Sequence, residues 1–207
     1  MVDGAELAKR SPPLASKEPP LVFDPEGDII LAVGTRPGKE MKVDSNTLCR
    51  ASPVFQIMLR GNFVEARPGS GEWRVRLPED DVNACIIVLD MIHCQHQLTP
   101  DNPSPVEFSN ILLFTNKYDM TRIVRPVAKD WLSSIFTEGW PEYPCRALQA
   151  CLFIAWELGL PTHFGKVANA LASRCALDKD GLLVGLDGYR IFAEGDHPLN
   201  AHSMVGE

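Results

Sequence analysis

The chain has no Cys-x-x-Cys pair, no apolar run approaching the ~18 residues that would suggest a membrane-spanning helix, and no stripe of clustered Lys and Arg. Each absence removes a class of reading. Without paired or regularly spaced cysteines there is no signature of a zinc ribbon or a disulfide framework, so Cys49, Cys85, Cys94, Cys145, Cys151 and Cys175 read as buried free thiols. Without a long apolar run, no membrane partner is expected. A net charge of -7 with scattered basic residues argues against a phosphate backbone, so nucleic acid is not an expected ligand either. The segment Met1 to Pro20 is polar and proline-bearing where a secretory signal would be apolar. It reads as a disordered leader, and the chain as cytoplasmic or nuclear.

What is present is an ordinary core-forming composition: 207 residues, 45% hydrophobic and 23% charged. The β-branched run Asp28 to Val33, the loop Gly34 to Gly38 and the alternating Glu40 to Val43 predict a β-hairpin. Asp44 or Ser45 is placed to cap a first helix, and Pro53 fits the first turn of a second, which Gly61 stops. Strict alternation at Trp73, Val75 and Leu77 predicts a strand. Asp80 or Asp81 then caps a nearly all-apolar helix through Cys85, Leu89, Ile92 and His93. After a proline-rich loop, the Phe108 to Tyr118 and Val124 to Ile135 faces predict two more helices, the second kinked or delayed by Pro126. Beyond the break at Gly139 to Pro144, two apolar faces joined by Gly159-Leu160-Pro161 predict a helical hairpin over 144–177. Residues 178–207 read as a loose or disordered tail. The expected core includes Leu31, Leu48, Phe55, Met58, Val75, Leu77, Ile86, Leu89 and Leu112, with all four tryptophans on or beside apolar faces.

Chemistry is hard to find in this pattern. Gly34-Thr35-Arg36-Pro37-Gly38-Lys39-Glu40 is one residue short of a phosphate-binding loop, and Glu40 stands where Ser or Thr would bind the metal, so a hairpin turn is the better reading. Cys85, His93, Cys94 and His96 form the best metal candidate, but only Cys85 and His93 share a helix by spacing. Glu79-Asp80-Asp81 lies before a helix whose positive end favours carboxylates, which explains it without acid–base catalysis. No nucleophile–base signature appears. No catalytic residue, metal or cofactor is expected.

The order of segments nevertheless resembles one family. Asp28-Ile-Ile-Leu-Ala-Val33, a return strand ending Met41-Lys-Val-Asp44, Ser52-Pro-Val-Phe55-Gln-Ile-Met58, Leu77-Pro-Glu-Asp-Asp81, the helix ending Met91-Ile-His93, and Asn116-Lys-Tyr-Asp-Met120 follow one another as they do in the BTB/POZ domain. The arrangement is most similar to the short stand-alone BTB proteins common in fungi. Two departures are visible: Asp44 stands where many members have histidine, and Cys94-Gln95-His96-Gln97-Leu98 replaces the usual Tyr-Thr-Gly turn. The resemblance implies an α+β fold, with a small mixed sheet flanked by a cluster of helices over 21–137 and the helical hairpin following. It also implies a protein-binding role rather than an enzyme: an adaptor for a cullin-type ubiquitin ligase, or a self-associating scaffold, with homodimerisation expected. Cullin adaptors of the family often carry an apolar-x-acidic triplet after the third helix. Here Leu98 matches the apolar anchor, Pro100 takes the acidic place, and Asp101 comes one position late, so Leu98 and Asp101 are the expected partner-binding residues. The other reading is a zinc-dependent regulator or enzyme built on Cys85, His93, Cys94 and His96.

Overall fold

The computed structural model describes residues 18–35, 38–137 and 139–192. Among them the architecture is mixed: seven α-helices and a small mixed sheet of four strands, with a separate two-stranded hairpin near the C-terminal end. The sheet contains β1 (Leu21–Val22), β2 (Ile29–Val33), β3 (Lys39–Val43) and β4 (Arg74–Leu77) in the order β1-β3-β2-β4. β2 and β3 form the expected antiparallel hairpin with Leu31 opposite Met41, and β4 lies parallel to β2 with Val75 opposite Leu31. A strand flanked on both sides and covered on both faces should be apolar throughout, and β2 buries every residue except Ala32. The turn leaves β2 through Gly34 at φ 78, a left-handed conformation that glycine adopts without strain. The phosphate-loop candidate is thus a strand-to-strand connection, although its Arg36 and Pro37 lie outside the described residues.

The first and third helices begin at expected caps, while the second and fourth begin at caps that the sequence does not single out, Ser52 and Ser104. α1 (Ser45–Ala51) starts at Asp44, whose carboxylate accepts the Thr47 N–H at 2.7 Å. α2 (Pro53–Arg60) starts at Ser52, whose hydroxyl accepts from Phe55 N–H at 3.0 Å, and ends at Gly61. α3 (Val82–Ile92) is capped by Asp81. α4 (Pro105–Lys117) opens on a full capping box between Ser104 and Glu107. α5 (Arg125–Ile135) follows a 3₁₀ turn over Thr121–Val124, and Pro126 sits in its first turn, where no backbone donor is needed. Pro126 therefore delays the helix and does not kink it. α6 (Cys145–Glu157) and α7 (Pro161–Ala172) form the helical hairpin.

Several expectations are corrected. Leu21–Val22 pairs in parallel with β3, a strand that the sequence does not announce because two residues carry no period. α6 is buried on nearly every side, from Cys145 through Ala155, and packs on α4 as well as α7, so the hairpin belongs to the same core as the sheet. The loose-tail reading of 178–207 fails over its described part. β6 (Leu183–Gly185) pairs antiparallel with β5 (Cys175–Leu177), which is a strand at the end of the stretch 144–177 expected as helical hairpin, and Ile191 is buried beyond the pair. Asp187 holds the hairpin in place by accepting the first N–H of α6, at Cys145, at 2.9 Å. Met58 and Ile86 are only partly buried, at the margin of the core, while the other seven expected core residues are buried. Not every thiol is buried: Cys94 is exposed and Cys175 half-buried. Trp156 is 55% exposed in the last turn of α6, its indole 6.0 Å from the ring of Phe164. The leader expected over Met1 to Pro20 lies outside the described residues except for Glu18 to Pro20, where Glu18 pairs with Lys39 at 2.8 Å. Among the described residues no helix is long and apolar enough to cross a membrane.

Candidate partner-binding site

The loop between α3 and α4 is built around one carboxylate. Asp90 lies in the most apolar helix of the chain and is 0% exposed, so its charge must be met from within. α3 ends at His93 in a Schellman turn: Cys94 N–H donates to Met91 O at 3.1 Å and Gln95 N–H to Asp90 O at 3.1 Å, with Cys94 left-handed at φ 55. A second left-handed residue, His96 at φ 52, then brings the chain back over the helix. Three successive backbone donors meet the Asp90 carboxylate: Gln97 N–H at 3.2 Å, Leu98 N–H at 3.0 Å and Thr99 N–H at 3.0 Å. The Thr99 hydroxyl adds a fourth bond at 2.8 Å. Hydrogen bonds to an ionised acceptor are the strong ones, so the backbone on both sides of Leu98 is fixed.

Two further contacts hold the flanks. The Gln95 side-chain amide donates to Phe23 O at 2.6 Å, beside β1. Trp131 donates its indole N–H to Pro100 O at 2.9 Å while its ring meets Phe108 edge-on, centroids 4.9 Å apart. The Leu98 side chain is nevertheless 47% exposed. An apolar residue presented outward on a backbone tied down on both sides has little backbone ordering entropy left to lose if it is covered. Asp101 is exposed two residues past the clamp. Sequence reasoning placed Leu98 and missed Asp90, although a lone carboxylate inside an otherwise apolar helix is itself a signal that something must satisfy it.

The four metal candidates are not brought together. Cys85 and His93 lie eight residues apart on α3, about 12 Å along its axis. The Cys85 thiol is fully buried, and burial, followed by the Asp80 and Asp81 carboxylates, pushes its pKa well up, away from a metal-binding thiolate. His93 uses both ring nitrogens on the backbone: Nδ1 faces Leu89 O at 2.8 Å and must donate, which leaves Nε2 to accept from Asp44 N–H at 3.4 Å. Cys94 and His96 are exposed on the turn that follows α3. Among the described residues no group of three or more His, Cys, Asp or Glu is arranged to hold a metal ion.

A second constellation joins three of the segments singled out in the sequence. Asp80, from Leu77-Pro-Glu-Asp-Asp81, accepts from Lys117 Nζ at 2.9 and 3.0 Å and from the Tyr118 hydroxyl at 2.8 Å. Tyr118 stacks on Phe55, centroids 4.3 Å apart and planes within 8°, and the Ser52 hydroxyl donates to Tyr118 O. Burial first, and the bond to Asp80 second, hold the phenol well above its ordinary pKa, so it stays a donor. These residues fasten α2 and the start of α3 to the end of α4. Their work is structural.

No family model matches the chain, and no curated protein matches it.

Proposed function

We propose that this chain is a protein-binding module of the BTB/POZ type that works as an adaptor or scaffold, with the loop at Leu98 as its docking anchor. The observation that carries the reading is the exposed Leu98 side chain on a backbone locked by the buried Asp90 carboxylate. The meeting of Asp80, Tyr118 and Ser52 supports the BTB reading, since the segments that carry the resemblance are the ones that contact one another. A cullin-type ligase scaffold is the partner this anchor suits: the apolar side chain would fill a pocket and supply most of the affinity, while the acid displaced to Asp101 would sit at the rim and add little.

The test is a pull-down with a cullin N-terminal domain. Wild type should be retained and Leu98→Asp lost, because the substitution drives a charge into an apolar pocket. Loss of at least tenfold in affinity is expected, about 1.4 kcal/mol or more. Equal retention of both proteins would move the anchor elsewhere, and no retention of wild type would remove the cullin reading.

The scaffold reading has its own observation. Val54 and Ile57 on α2, followed by Phe63 and Val64, leave large apolar side chains in solvent along one stretch of chain. Self-association through this stretch predicts a dimer in light scattering at tens of micromolar, an order of magnitude at which a micromolar dimer is populated. Ile57→Lys should return it to monomer.

A further inference from the structure

The junction between the start of α6 and the β5–β6 hairpin gathers two of the six cysteines. Cys145 is the first residue of α6 and Cys175 the first of β5. Three observations fix their relation. Cys145 Sγ lies 3.8 Å from Arg174 O, the carbonyl bonded to the Cys175 nitrogen. A carbonyl oxygen stands about 2.8 Å from the next Cα, so Cys145 Sγ lies within about 7 Å of Cys175 Cα. Cys175 is also paired directly with Gly185 across the hairpin, and residues so paired point their side chains to the same face, with Cβ atoms about 4.5–5.5 Å apart. A Cβ at Gly185 would meet Cys145 Sγ at 2.5 Å and Cys145 Cβ at 2.9 Å. The face of the hairpin that carries the Cys175 side chain is therefore the face against which Cys145 packs.

We propose that Cys145 and Cys175 form a modification site: a thiol pair that a hydroperoxide oxidises to a disulfide, latching the C-terminal hairpin to the start of α6. Cys175 is half-buried and Cys145 buried, so Cys175 meets the oxidant. Burial first, then the Asp187 carboxylate, raise the Cys145 pKa and keep it a waiting thiol. Cys175 gives up its thiol proton and its sulfur attacks one oxygen of the peroxide; an S–O bond forms, the O–O bond breaks, and the departing oxygen takes up that proton and leaves as water, or as the alcohol from an organic hydroperoxide, giving a sulfenic acid. Cys145 sulfur then attacks Cys175 sulfur, the S–O bond breaks, and the second oxygen leaves as water with the Cys145 proton. Two thiols give up two electrons and the peroxide takes both. The closed loop contains the whole α6–α7 hairpin, so the cross-link restricts the unfolded chain over that span.

The experiment treats the full chain with hydrogen peroxide, blocks remaining thiols and maps the disulfides by mass spectrometry without reduction. A Cys145–Cys175 linked peptide is expected, together with a higher melting temperature that dithiothreitol reverses. The exposed Cys94 is changed to serine in a parallel sample, which should retain the linkage. Cys175→Ser, at a half-buried position, should abolish both the linked peptide and the rise in melting temperature. Conversion of Cys175 to sulfinic acid with Cys145 still a free thiol would overturn the proposal, as would a linkage that pairs either residue with another cysteine. Because the decisive map is made on the wild type, the proposal does not depend on any variant folding.

Discussion

At the scale of single residues, two buried carboxylates do different work. Asp80 is buried and draws Lys117 and Tyr118 onto itself, so the start of α3 is anchored to the end of α4. Removing only the phenolic oxygen, in Tyr118→Phe, keeps the stack on Phe55 and deletes one bond to a charged acceptor. The expected cost is about 1.5–3 kcal/mol, read from urea unfolding with an unchanged m-value. Asp90 instead organises the loop that displays Leu98. Asp90→Asn substitutes amide hydrogens for one acceptor oxygen and leaves some of the Gln97, Leu98 and Thr99 N–H groups without a partner, at about 1–3 kcal/mol. In the docking role proposed for Leu98 the informative readout is affinity: Asp90→Asn should weaken binding of the cullin N-terminal domain severalfold with Leu98 still in place, since its backbone is no longer held in position.

At the scale of elements, the C-terminal hairpin is fixed by close approach. Gly185 is packed against Cys145 and the Asp187 carboxylate, and any Cβ there would lie 2.5 Å from Cys145 Sγ and 2.5 Å from Asp187 Oδ1. Gly185→Ala should force these groups apart and lower stability by about 1–3 kcal/mol, measurable as a lower denaturation midpoint. The hairpin also shows where a sequence stops being legible. α3 and α4 could be read from the spacing of Cys85, Val88, Leu89, Phe108, Ile111 and Leu112, because a one-sided core imposes a helical period on the chain that touches it. The caps at Asp44 and Asp81 could be read to within one neighbouring residue because they act within three residues, whereas the cap at Ser52 is not singled out by the sequence. β1 could not, since Leu21–Val22 is ordered only by its partner at Met41–Lys42. β5 and β6 could not either, because their glycines suggest looseness and the bond that holds them, Asp187 to Cys145, spans a distant stretch of chain. In the candidate site, Leu98 is singled out only by the resemblance of its loop to the BTB/POZ triplet, whereas the place of Asp90 depends on backbone donors whose convergence needs two left-handed residues, Cys94 and His96.

At the scale of the whole molecule, several of its joints are carboxylates held below their ordinary pKa. The Cys145 N–H and then the Tyr189 N–H lower that of Asp187. The Ser104 hydroxyl and N–H lower that of Glu107. At Asp44 burial opposes ionisation, but the Thr47 hydroxyl and N–H outweigh it. A group whose pKa is depressed on folding contributes stability above its unfolded pKa, and that contribution is lost as pH falls through the folded value. The contribution of these carboxylates should therefore be fully present above about pH 5 and fall progressively below about pH 4, where carboxylates ordinarily titrate. Thermal melts across that range check the sign. An Asp187→Asn variant should lose part of the slope.

The burial of α6 has a consequence for how the chain can be divided. One continuous set of buried side chains runs from Phe23, just after β1, through α4 and α6, to Ile191. A fragment ending at Thr137 would strip the cover from α4, whose own faces include Phe108, Ile111, Phe114 and Thr115. Such a fragment should be prone to aggregate, while the intact chain should melt in one calorimetric peak with matching van't Hoff and measured enthalpies. The break at Gly139 to Pro144 is a bend within one continuous core, so an insertion there should be better tolerated than a cut.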